Sequence, residues 1–256
     1  MKRKVFDIIV YVLVFLAIQV VVTFGIQALW KVCSGSSDVS SLMLMVTMVV
    51  FNLLTIAVFL LARWAKVSRN YLQSRPWFTL VWCALAAVGM LIPSMWLQEQ
   101  LPKLPNIVGD QLAMILKNEY GYVAVGLLAP IAEELVFRGA VLRTLLQWKT
   151  NHWLPIAVSA LIFSLVHGNP AQMPHAFLVG LLLGWMYYRT DSIVPGVVIH
   201  WVNNSVSYIF YNLLPDPDAP LIMLFGGSQR HVYLALLFSL CIFLPSLYQL
   251  SIRLKK

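Results

Sequence analysis

GYVAVGLLAPIAEELVFRGAVL, Gly121 to Leu142, is an apolar run broken by two adjacent carboxylates and one guanidinium: Glu133, Glu134 and Arg138. It is close to the roughly 20 residues that a helix needs to span hydrocarbon. The whole chain holds ten acidic residues, so two side by side in such a run need a reason. A carboxylate near mid-bilayer costs roughly 2.5 to 3.5 kcal/mol on insertion scales, which marks the pair as functional. Arg138 follows Glu134 by one helical turn on the same face and reads as its ion-pair partner. Glu133 points about 100° away and lacks that partner. Glu134 is therefore the structural member of the pair and Glu133 the chemical one.

Working outward, the 256-residue chain is 60% hydrophobic and 11% charged, with mean hydropathy +0.80. Ordinary soluble domains carry about 25% charged residues. The reading is an integral membrane protein, all-α, a polytopic bundle of about eight transmembrane helices. Its apolar stretches run Val5 to Trp30, Leu42 to Ala62, Trp77 to Leu97, Gly121 to Leu142, Trp153 to His167, Met173 to Tyr188, Ile193 to Leu214 and Val232 to Leu250. The first is too long for a signal-peptide core and lacks a small-x-small cleavage site, so it is read as a retained span. Cys33, Cys83 and Cys241 form neither a disulfide framework nor a C-x-x-C metal site.

A net charge of +8 raises the question of nucleic acid, and the positions of the basic residues answer it. With the first helix entering from the cytoplasm, thirteen of the eighteen Lys and Arg fall at cytoplasmic ends. Only Lys31, Lys103, Lys117 and Arg230 fall opposite, and Arg138 stays within the membrane. This positive-inside pattern puts both termini in the cytoplasm and makes the charge topological, so no nucleic-acid partner is expected. Gln98 to Lys117, with Pro102 and Pro105, reads as an external loop followed by a short interfacial or re-entrant helix. No linker separates domains. Residues 1–110 are N-terminal transmembrane helices and an external loop, 111–214 a helical core with the polar residues, and 215–256 an external loop and last helix, all one continuous membrane domain.

The two short helices around the tight Gly168-Asn169-Pro170 link are expected to line a cavity, because irregular backbone at membrane depth is tolerated only beside protein or water. His167 ends the first of them. His200 and Asn204 lie four apart on one face of a later helix. Counted from the cytoplasmic ends at a ~1.5 Å rise, Glu133 lies ~15 Å deep, His167 ~22 Å, His200 ~14 Å and Asn204 ~20 Å. Three helices thus bring Glu, His, His and Asn to one layer, as a shared site requires. His152 and His231 read as interfacial and His175 as a residue of the cavity rim; none is assigned chemistry.

Ala129 to Gly139, with its E-E-x-x-x-R pattern, resembles the first motif of the CAAX-type (CPBP) intramembrane endopeptidases and their bacteriocin-processing relatives. Phe163-x-x-x-His167 is similar to their second motif and His200-x-x-x-Asn204 to their third, in the same order. The resemblance runs from about Gly121 to Ser207. It implies proteolysis inside the membrane of a membrane-associated protein or leader peptide, with Glu133 and His167 activating water and His200 and Asn204 stabilising the oxyanion. Two histidines and a glutamate match the three-ligand pattern of catalytic zinc, so zinc is open, but H-E-x-x-H is absent and no obligatory cofactor is expected. The expected partners are that peptide substrate and membrane lipid, and the setting a bacterial inner membrane. Two other classes of function are compatible with these residues. One is a non-catalytic peptide-binding or bacteriocin-immunity protein. The other is a proton-coupled transporter, disfavoured because no repeated half with a matching broken helix is present.

Overall fold

The structure is a computed structural model and describes residues 2–35, 38–66, 71, 73–148, 151–214, 216 and 219–254. Among these, every regular element is a helix. The long apolar stretches give α1 (Lys2–Ser34), α2 (Ser41–Leu61) and α3 (Trp77–Glu99). The Pro-rich segment yields the short α4 (Gly109–Leu116). The glutamate run is α5, a helix of changing pitch: π over Val123–Leu128, α over Ala129–Glu134, π over Leu135–Leu142 and α again over Arg143–Leu145. Then follow α6 (Trp153–Leu165), α7 (Met173–Thr190), α8 (Val194–Leu213), the single turn α9 (Leu221–Leu224) and α10 (Gln229–Arg253).

Among the described residues four helices are long and apolar enough to cross a bilayer by length and composition: α1, α2, α3 and α10. Each of the eight apolar stretches expected to span is helical, but α5 to α8 are shorter, changed in pitch or more polar than those four. Helices α5 to α8 and the turn after α6 carry the site residues. Their inward position offsets their polarity: all eight residues from Leu135 to Leu142 are buried, as befits a helix surrounded by neighbours on every side. Phe15 of α1, Phe59 of α2, Phe137 of α5 and Phe163 of α6 share this core.

Two local devices place the site. Gly180 of α7 lies so close to α6 that a Cβ there would meet the Ala160 Cβ at 3.0 Å, and this approach exposes its carbonyl to Arg138. The turn between α6 and α7 bends at Gly168, whose φ of +63° suits glycine. Its polar backbone is met by protein. Asn169, fully buried, accepts from the Ile107 N–H at 2.9 Å and donates to Asn106 Oδ1 at 2.8 Å, while Gln98 donates to the Ala171 carbonyl at 2.8 Å. The segment read as an external loop thus fastens the end of α6, where His167 stands.

Candidate active site

Glu134 and Arg138 are both fully buried, and Arg138 Nη1 donates to Glu134 Oε1 at 2.8 Å. Arg138 Nη2 donates to the Gly180 carbonyl at 3.2 Å, and its Cζ lies 4.4 Å from the centre of the Phe163 ring. The guanidinium is therefore held by an ion pair, a carbonyl and an aromatic face. Glu134 Oε2 has no hydrogen-bond partner among the described residues and packs against Gly196 of α8, where a Cβ would stand 2.4 Å from it. Gly196→Ala must therefore push the carboxylate off its partner. Its expected cost is about 1–3 kcal/mol from overpacking, read as a lower melting temperature in detergent together with reduced activity; an unchanged melting temperature contradicts this packing.

Glu133 is different. Its side chain is 18% exposed and faces the cavity, with Oε2 3.7 Å from His200 Nε2. His200 also places Nδ1 3.5 Å from Glu134 Oε1, so its imidazole lies between the two carboxylates. That link joins the two glutamates through one ring, an arrangement the i,i+4 pattern of α5 alone does not disclose.

His167 Nδ1 lies 2.8 Å from the Phe163 carbonyl, which only accepts, so Nδ1 is the donor there, and in the neutral ring the lone pair is on Nε2. The Phe163 ring meets His167 and His200 edge-on, with centroids at 4.9 and 5.8 Å. Phe163 therefore touches Arg138, His167 and His200 and fixes their relative positions.

Asn204 has a second task. In the π segment of α5 the Ala129 N–H reaches back five residues to the Ala124 carbonyl. By the same register the Val125 carbonyl would meet residue 130, a proline with no N–H. Asn204 Nδ2 supplies the missing donor at 3.0 Å from that carbonyl. Its Oδ1 accepts from Asn203 Nδ2 at 3.2 Å. One amide proton of Asn204 is thus engaged with α5, and the other has no partner among the described residues.

A cavity of about 370 Å³ is lined by Glu133, Phe163, His167, His200 and Asn204. Glu134 and Arg138 stand behind it. His175, read above as a residue of the cavity rim without chemistry, lines the same cavity, and its Nδ1 is 2.6 Å from Ser94 Oγ of α3. Asn203 is there too, a residue no spacing argument distinguished from its neighbour. His152 instead stacks on Tyr188 with parallel rings 4.1 Å apart, and His231 is exposed.

Among the described residues no three His, Cys, Asp or Glu side chains converge closely enough to hold a metal ion. Glu133, His167 and His200 share the cavity without forming such a set.

A helical membrane bundle enclosing a buried acid–imidazole cluster beside an open cavity defines an integral membrane protein with an internal polar site. Residues 117–206, which contain all three motifs, match the family described as type II CAAX prenyl endopeptidase Rce1-like, so the motif-bearing core is similar to that family. The chain is 26% identical to the Membrane-embedded CAAX protease MroQ of Staphylococcus aureus (strain USA300) over 151 residues, 55% of this chain and 60% of that one. It is 24% identical to the Putative membrane peptidase YdiL of Bacillus subtilis (strain 168) over 110 residues, 41% of this chain and 45% of that one. The chain thus spans about half the length of the curated relatives it matches. No solved structure matches it significantly.

Proposed function

We propose that the chain is an intramembrane endopeptidase that hydrolyses a peptide bond of a membrane-associated protein or leader peptide. The observation that carries this reading is the single cavity onto which Glu133, His167, His200 and Asn204 all face, with Glu133 Oε2 3.7 Å from His200 Nε2. The names of the two relatives and the matched family point the same way.

In this mechanism a water between Glu133 and His167 gives its proton to the Glu133 carboxylate as its oxygen attacks the scissile carbonyl carbon. The His167 Nε2 lone pair orients that water by accepting its second hydrogen. The carbonyl π electrons move to oxygen, and His200 with the second amide proton of Asn204 donates to the oxyanion; such donors are worth roughly 2.7–4 kcal/mol each. Collapse breaks the C–N bond, and Glu133 returns its proton to the leaving amine. Glu134 and Arg138 do not touch the reacting atoms. They hold His200 and Phe163 in place.

No step passes through a metal ion. Chelation is therefore expected to leave the rate unchanged, and protein purified without chelators is expected to lack stoichiometric zinc by elemental analysis; chelator-sensitive cleavage with one zinc per chain contradicts this.

Comparative peptidomics of membranes carrying wild type or Glu133→Gln tests the proposal as a whole. A processed fragment that disappears in the variant supports it. Identical fragment sets overturn it, and protection from a peptide that survives the substitution favours the immunity reading.

A further inference from the structure

Glu133 and His167 do not line one chamber but two. On the far side of them from His200 lies a second cavity of about 300 Å³ between α1, α2 and α4. Met48, Leu112, Glu133 and His167 belong to the walls of both cavities. The acid and the imidazole read above as water-activating therefore stand where the two spaces meet.

The second chamber is mostly apolar and holds no charged side chain besides Glu133, yet it carries uncharged hydrogen-bonding groups at unusual positions. Gln19 and Thr23 lie four apart on one face of α1, well inside a 33-residue apolar helix. Gln111 faces the same space from α4. All three are exposed, and their side chains carry no hydrogen bond among the described residues. A polar group without a partner is costly where water is scarce, so these groups call for one. An extended peptide has the matching need, because a strand drawn into the bilayer loses the water that satisfied its N–H and C=O groups. Amides and hydroxyls, each able to donate and accept, suit a backbone rather than a charged side chain.

We infer that the chamber between α1, α2 and α4 is a substrate subsite. It binds an uncharged, extended segment on one side of the scissile bond through Gln19, Thr23 and Gln111, while the His200 chamber takes the other side. The inference rests on the endopeptidase reading. It adds that α1 and α2, which lie outside the matched residues 117–206, set part of the cleavage preference.

The test uses the full-length protein reconstituted in liposomes and a peptide pool derived from bacterial membrane proteins, with cleavage sites and rates read by mass spectrometry. Wild type, Glu133→Gln, the double variant Gln19→Leu/Gln111→Leu and Thr23→Trp are compared. Leucine keeps the volume and removes the hydrogen bonds; Thr23→Trp narrows the chamber from an exposed position. Both are expected to lower kcat/KM about tenfold, mainly through KM, the double variant by the loss of two hydrogen bonds and Thr23→Trp by filling the space. The residue preference is expected to shift on one side of the cut only. Glu133-dependent cleavage with unchanged rates and preferences overturns the subsite and leaves the endopeptidase reading standing. Absence of Glu133-dependent cleavage by wild type overturns both.

Discussion

Glu133→Gln is expected to slow peptide hydrolysis by about 10²–10⁴-fold, the span typical of losing a positioned general acid–base. The amide keeps the size of the carboxylate but cannot take up the water proton. The fold should not notice. Glu133 is 18% exposed on its cavity face and has no arginine partner, unlike Glu134 one residue later. The variant is therefore expected to unfold within about 1 °C of wild type in the same detergent, as a near-isosteric change on a partly exposed cavity face does. Initial rates on a purified peptide substrate, measured beside thermal unfolding, separate the two effects. A rate close to wild type removes Glu133 from the chemistry; a lost rate with a lost fold makes it structural instead.

The helices were readable from the chain because hydropathy is read one residue at a time. Each of the eight apolar stretches became a helix, such as Trp77 to Leu97 within Trp77–Glu99 and Ile193 to Leu214 around Val194–Leu213. The pairing of Glu134 with Arg138 was readable too, since four residues return to one helical face. The pitch of α5 was not. Spacing arguments assume 3.6 residues per turn, and nothing in a periodicity count announces the π segments at Val123–Leu128 and Leu135–Leu142. Pro130 was the available hint, because a proline inside a helix leaves a carbonyl needing an outside donor. Asn204 is that donor, which sequence spacing had grouped only with His200. The place of His175 was half-legible: a histidine at the start of a short helix is an ordinary rim residue, and only the approach of Ser94 from α3 shows how it is held. Contacts between distant helices of this sort leave no mark on either helix alone.

Arg138→Met is expected to be the most damaging single change to stability. It leaves the Glu134 carboxylate fully buried without its counter-ion, a situation that costs about 3–5 kcal/mol when one partner of a buried pair is removed. It also withdraws the donor to the Gly180 carbonyl and the cation from the Phe163 face. The double variant Glu134→Gln/Arg138→Met removes both charges, and replacing a whole buried pair by neutral groups is often close to neutral. Its melting temperature in detergent is therefore expected to recover most of the loss. Activity should not recover with it. Glu134 Oε1 lies 3.5 Å from His200 Nδ1, so a neutral amide there no longer balances the imidazole that faces the cavity. Phe163, relieved of the guanidinium, also holds His167 and His200 less firmly. Thermal unfolding and hydrolysis rates for wild type, both single variants and the double variant form one cycle that separates the two roles. A stable Arg138→Met contradicts the buried ion pair. A double variant that hydrolyses at the wild-type rate shows that the pair serves the fold alone and that His200 is positioned without it.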